Sequence, residues 1–177
     1  MPHNHTSPSM PTRLLRHLRM TRAAARRAFP STTLKAIQAS IGAGEREHRA
    51  QVRVIVEAAL SLGAVRRGDS ARQRAHELFS HYRIWDTEEN CGVLVYINLA
   101  DRKVEIVADR GVNARVTREQ WQQVCRAMTA GYAQGEYEAS TLQALASLHE
   151  ILGKVLPREP DATGDMPNEL SDKPLLL

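Results

Sequence analysis

Cysteine is nearly absent from this 177-residue chain: only Cys91 and Cys125 occur. Two are too few for a disulfide framework and match no zinc-ligand spacing, so both are expected as small, reduced core residues. No apolar run approaches the roughly 20 residues that span a bilayer. The N-terminal region also lacks the apolar segment of a secretory signal, because Arg13, Arg16, Arg19 and Arg22 interrupt every candidate. The expectation is a soluble, cytoplasmic chain without a transmembrane segment. Acidic residues are missing before Glu45, where seven basic residues stand. The formal net charge of +4 therefore belongs to one end of the chain. After Pro157 the balance reverses, with Glu159, Asp161, Asp165, Glu169 and Asp172 against Arg158 and Lys173. No internal repeat, Gly-rich phosphate loop or Gly-x-Ser-x-Gly elbow is present. His76-Glu77 with His81 is one residue too long for a His-Glu-x-x-His zinc helix, so its histidines do not share a face. His149 reads as a satisfied surface or boundary histidine rather than a ligand.

The length indicates one domain, and trimming the ends leaves about 125 residues, enough to bury about two-thirds of the unfolded surface. Residues 1–30 form a basic arm, disordered over 1–11 and helical over 12–29. At the helical period Leu14, Leu18, Thr21, Ala25, Ala28 and Phe29 share one face, opposite Arg16, Arg19, Arg22, Arg26 and Arg27. That pattern suits either an anionic membrane surface or packing onto the chain's own domain. Nucleic acid is not expected as a partner. Residues 31–157 form an α/β domain, and residues 158–177, with Pro160, Pro167 and Pro174, a disordered acidic tail.

Within the domain, Ser31 or Thr32 caps a helix carrying Leu34, Ile37 and Ile41. Val52–Ala58 is rich in β-branched residues and reads as a strand. Leu62–Gly68 reads as a loop. Asp69 or Ser70 then caps a helix whose Ala71, Ala75, Leu78, Phe79 and Tyr82 face inward. Val93–Leu99 is an unbroken apolar run, as in a strand covered on both faces. A short turn at Leu99–Lys103 returns Val104–Ala108 antiparallel. Thr117 with Gln120 forms a capping box before Trp121, Val124, Met128 and Tyr132. Gly131 and Gly135 break that helix, and a last one carries Leu142, Leu145, Leu148, Leu152 and Leu156. The order α-β-α-β-β-α-α predicts a small mixed sheet with helices on both faces, an α/β/α sandwich whose first two strands are parallel.

This order returns Asp109 to the rim where the second strand begins, beside Asp86-Thr87-Glu88-Glu89-Asn90. Asp101 lies at the other end, since eight extended residues span roughly 26 Å. Asp86, Glu88 and Asp109 are the candidate ligands of Ca²⁺ or Mg²⁺. Arg110, Arg115 and Arg118, around a helix start, are the candidate anion contacts. The same residues also suit a solvated connector and a plain turn. A second-choice rim collects Arg66, Arg67, Asp69, Asp101 and Arg102 at the carboxyl ends of the parallel strands.

Trp85-Asp86-Thr87-Glu88-Glu89-Asn90-Cys91-Gly92-Val93-Leu94-Val95-Tyr96, with Asp101-Arg102-Lys103-Val104-Glu105-Ile106, resembles the TPM domain. Tyr132-Ala133-Gln134-Gly135-Glu136-Tyr137 is similar to that family's aromatic–glycine junction between its last two helices. The likeness runs from about Thr33 to Pro157 and implies an α/β/α sandwich. It also implies calcium binding, weak acid phosphatase activity or action through protein partners, each credited to some members. No catalytic motif transfers residue by residue. Ala108-Asp109-Arg110-Gly111 stands where secreted members tend to have a glycine–aromatic–glycine turn, and the export signal and membrane anchor of many members are not seen. The leading expectation is a binding module for a divalent cation, a protein partner or both. A weak metal-assisted phosphatase and a peripheral membrane adaptor using the basic arm are the alternatives.

Overall fold

The computed structural model describes residues 9–158 and 168–177. The disorder expected of residues 1–8 and 159–167 lies outside the described residues. The strands are β1 (Gln51–Glu57), β2 (Gly92–Asn98), β3 (Lys103–Ala108) and β4 (Leu175–Leu176). They form one mixed sheet in the order β3-β2-β1-β4. β1 runs parallel to β2, from Gln51 opposite Gly92 to Glu57 opposite Asn98. β3 returns antiparallel, from Asn98 opposite Lys103 to Val93 opposite Ala108. Arg102 makes that reversal with a left-handed φ of 53°. All seven residues of β2 are buried, because it is a central strand with helices on both sides.

Alternation along the strands divides the core in two. On one face Val52, Val54, Val56, Val93, Val95, Ile97, Val104 and Ile106 meet three helices. Ile37 and Ile41 come from α3 (Ser31–Gly44), Val124 and Met128 from α7 (Arg118–Ala133), and Leu145, Leu148 and Leu152 from α8 (Tyr137–Val155). On the other face Ile55, Leu94, Tyr96 and Val107 meet Ala71, Ala75 and Leu78 of α5 (Ala71–His81). This is the expected α/β/α sandwich. Two capping boxes start its helices, Ser70 with Gln73 on α5 and Thr117 with Gln120 on α7.

Several local expectations are corrected. Residues 62–68 are not a loop: Leu62–Arg67 forms α4. Only Val65 is buried there, so no apolar period marks the helix in sequence. Its ends define it instead. Ser61 Oγ accepts the Ala64 N–H at 3.2 Å, and Gly68, with φ of 82°, closes the last turn. A four-residue helix α6 (Arg110–Asn113) follows β3 and is too short to show a period. Gly131 does not break α7. It lies inside the helix where a Cβ would stand 2.3 Å from Ser140 Cβ of α8, so it permits close packing, and Gly135 ends the segment with φ of 82°.

The two ends differ most from expectation. The basic arm is two helices, α1 (Met10–Arg19) and α2 (Arg22–Ala28), because Thr21 starts a new one by accepting the Ala24 N–H at 3.2 Å. The break destroys the single face read from periodicity: Ala25 and Phe29 are buried while Leu18 is 54% exposed. Phe29 packs against Tyr132 and Tyr137, with ring centroids 6.0 and 5.6 Å away. The tail is ordered over 168–177. Its Leu175 and Leu176 pair with Ile55 and Val56 as strand β4, and Gln51 Oε1 accepts the N–H groups of Glu169 and Leu170 at 3.1 and 3.3 Å. Composition argued for disorder, but the open edge of β1 supplies partners that composition does not reveal.

Candidate functional site

The antiparallel return sets Asp109 beside the start of β2, where its N–H donates to the Gly92 carbonyl at 2.8 Å. Asp109 then caps α6: its Oδ1 accepts the Arg110 N–H at 2.7 Å. Its Oδ2 is buried without a hydrogen-bond partner among the described residues. A buried carboxylate oxygen in that state is costly and calls for a water or an ion as its partner. The neighbouring backbone is oxygen-rich. A Cβ on Gly111 would meet the Asn90 carbonyl oxygen at 2.6 Å and that of Glu89 at 2.9 Å, so only glycine lets these strands of backbone approach. Asn90 accommodates the bend with a φ of 53°, a conformation asparagine tolerates.

The remaining predicted ligands are not drawn in with Asp109. Among the described residues no three His, Cys, Asp or Glu side chains form a group that could hold a metal ion. Asp86 is exposed and faces Arg83 at 3.8 Å. Glu88 is exposed, and its N–H donates to Glu169 Oε2 at 2.8 Å, so the ordered tail brings a further carboxylate to this rim. Glu89 pairs with Arg49 at 2.8 Å. The three arginines also diverge. Arg110 reaches Asn90 Oδ1 at 3.3 Å, Arg115 reaches the Val155 carbonyl at 3.4 Å, and Arg118 is exposed in the first turn of α7.

At the second rim the structure joins Asp69 and Asp101 through a residue the sequence did not place there. Arg13 of α1 donates from Nε and Nη2 to the Asp101 carboxylate at 2.8 and 2.7 Å, and from Nη2 to the Asp69 carbonyl at 2.6 Å. His17 adds a bond to Asp101 Oδ1 at 3.1 Å and accepts the Leu60 N–H on Nδ1 at 3.0 Å. An acceptor Nδ1 fixes the proton on Nε2, where it can donate to Asp101. Burial pushes the Asp101 carboxyl up, but the bonds from Arg13 and His17 outweigh it and hold the group below its ordinary value. Arg102 stays outside this cluster as the exposed turn residue.

The model of the TPM domain matches residues 25–151. The chain belongs to the TPM domain family. It is also similar in fold to the NMR structure of the BA42 protein from the psychrophilic bacterium Bizionia argentinensis. The TM-score is 0.70 at 23% identity, covering 82% of this chain and 93% of that one. No curated protein matches it in sequence.

This TPM domain contains a third polar assembly that sequence reasoning missed. Glu57 ends β1 and pairs with Arg74 of α5 at 2.9 Å. Tyr96 of β2 donates its hydroxyl to Glu57 at 2.5 Å, Asn98 donates to Tyr96 at 2.9 Å, and the Asp101 N–H donates to Asn98 Oδ1 at 2.8 Å. Burial, then the Glu57 charge, pushes the Tyr96 phenol well above its ordinary value. The chain of bonds runs from Arg74 to the Asp101 clamp along the carboxyl ends of the parallel strands. Two clefts of about 470 and 340 Å³ flank the Glu57–Arg74 pair. Alternation places Glu57 on a strand end, but only the fold shows that Arg74 and Tyr96 meet it. Neither cysteine extends the chemistry of this TPM domain. Cys91 is buried and directs Sγ at the Arg49 carbonyl, while burial pushes the Cys125 thiol up to about 11. No helix among the described residues is long and apolar enough to cross a membrane.

Proposed function

We infer that this TPM domain is a binding module for a divalent cation, calcium foremost, at the Asp109 rim. The observation that carries the reading is Asp109 Oδ2, buried and without a partner among the described residues. Main-chain oxygens of Glu89 and Asn90 crowd the position where Gly111 lacks a side chain. Hard oxygen donors of this kind, carboxylate and carbonyl together, suit calcium better than a softer metal. Asp109 and those carbonyls would hold the ion, and water would complete its shell from the solvent side, since Asp86 and Glu88 stand apart from Asp109. The ion would supply positive charge that neutralises Asp109 and ties the loop before β2 to the start of α6.

Calorimetric titration of the full chain with calcium and magnesium chlorides tests this. Wild type is expected to bind calcium with the greater affinity, and Asp109→Asn to bind at least about tenfold more weakly, because one charged ligand is lost. No heat from wild type at millimolar calcium would remove the cation from this rim.

A further inference from the structure

Among the described residues four large hydrophobic side chains are exposed, and three of them, Met10, Leu15 and Leu18, lie on the ten-residue helix α1. A surface helix ordinarily turns its apolar stripe inward and its charges outward. α1 departs from that rule: Arg13 and His17 are turned inward while Met10, Leu15 and Leu18 are exposed. Arg13 and His17, about 40° apart around the helix axis, hold it to the body through Asp101. Leu15 lies about 200° and Leu18 about 140° from Arg13, so both point away from that clamp, and they are 47% and 54% exposed.

The charges carried by α1 and α2 are of one sign. Among the described residues Arg13 alone of the six arginines before Phe29 meets a carboxylate. Arg19, Arg22, Arg26 and Arg27 are exposed, and no acidic residue precedes Glu45. An apolar ridge edged by unpaired arginines is the pattern of a helix lying in a membrane interface. The arginine stems can follow the apolar side while their guanidinium groups meet phosphate.

We propose that the outer face of α1, with the arginines of α2, is a contact surface for anionic phospholipid. Leu15 and Leu18 enter the boundary between headgroups and acyl chains, and Arg19, Arg22 and Arg26 bind lipid phosphates. A protein partner would need an apolar socket ringed by acidic groups. A bilayer rich in anionic lipid offers both properties without a matching shape. Two leucines alone give marginal affinity, so insertion and charge must act together.

Cosedimentation of the full chain with vesicles tests the proposal, using phosphatidylcholine alone and phosphatidylcholine mixed with phosphatidylglycerol. Binding is expected only to the anionic vesicles and is expected to fall as salt is raised. Leu15→Ser/Leu18→Ser is expected to weaken it about tenfold or more, with circular dichroism and thermal unfolding unchanged because both side chains are exposed. Arg22→Gln/Arg26→Gln is expected to weaken it as well. Absence of vesicle binding, or binding indifferent to the leucine changes, would overturn the proposal. So would a concentration-dependent dimer, seen by analytical ultracentrifugation, that the leucine variant dissolves, since that face would then belong to a second copy.

Discussion

At Gly44 a single methyl group has no room. A Cβ there would lie 2.1 Å from His149 Nδ1, because the end of α3 rests directly on that imidazole. His149 in turn shares a hydrogen bond of 2.8 Å with His48, and the two rings stack with centroids 5.1 Å apart. Gly44→Ala is therefore expected to cost about 1–3 kcal/mol, the usual range for overpacking a filled core, read as a lower urea midpoint. Read as a boundary histidine, His149 is half of a buried pair. The sequence could not show this, since His48 and His149 lie 101 positions apart. Asp109 was legible as a strand-end aspartate returning to the acidic loop. Its orphaned Oδ2 depends on side-chain burial, which no spacing encodes.

At the scale of elements, α1 illustrates how a correct helix can be wrongly faced. Periodicity ran α1 together with α2 and assigned their docking side by hydrophobicity, whereas Asp101 holds α1 by Arg13 and His17. Their side chains are 9%, 15% and 0% exposed respectively, so this is a partly buried charge cluster rather than a surface pair. Asp101→Ala would leave Arg13 and His17 without their acceptor, a loss of roughly 3 kcal/mol unless α1 lifts away. Release of α1 is the easier outcome. Trypsin is expected to cut after Arg13 and Arg16 markedly faster in the variant, while the melting of the remaining core moves little. Equal cleavage rates would mean that Asp101 is not what docks the helix. The tail teaches a similar lesson. Leu175 and Leu176 become a strand because β1 has an open edge nearby, and that edge exists only in the folded sheet.

For the molecule as a whole, the buried His48 and His149 and the half-buried Glu45 shape the dependence of stability on pH. Burial lowers both His48 and His149 from 6.5 to about 4, so the folded state holds them neutral. Their contribution is present above pH 6.5 and is lost as pH falls toward 4. Burial raises Glu45 from 4.5 to about 8, against a bond from the Val52 N–H. Its contribution is present below pH 4.5 and is lost as pH rises through 8. Between 4.5 and 6.5 the unfolded chain carries two histidine protons against one glutamate proton in the folded chain, so stability rises with pH. From 6.5 to 8 only the glutamate counts, and stability falls. Urea midpoints across this range are expected to peak near pH 6.5, and Glu45→Gln to abolish the decline above it. A flat wild-type profile would mean that these groups are hydrated in the folded state.

Local sequence pattern dictated the layered architecture. A β-branched run at Val52–Ala58, an unbroken apolar run at Val93–Leu99, a short turn, and capped helices of period 3.6 leave few arrangements that bury every apolar face. It also determined that Asp109 returns to the acidic loop while Asp101 does not, because strand direction follows from connection length. Which groups touch was settled by packing. The inverted docking of α1, the Glu57–Arg74–Tyr96 chain, the histidine pair and the tail strand all join residues distant in sequence. Burial, which sets their partners and their charge states, is a property of the packed chain and not of any segment of it.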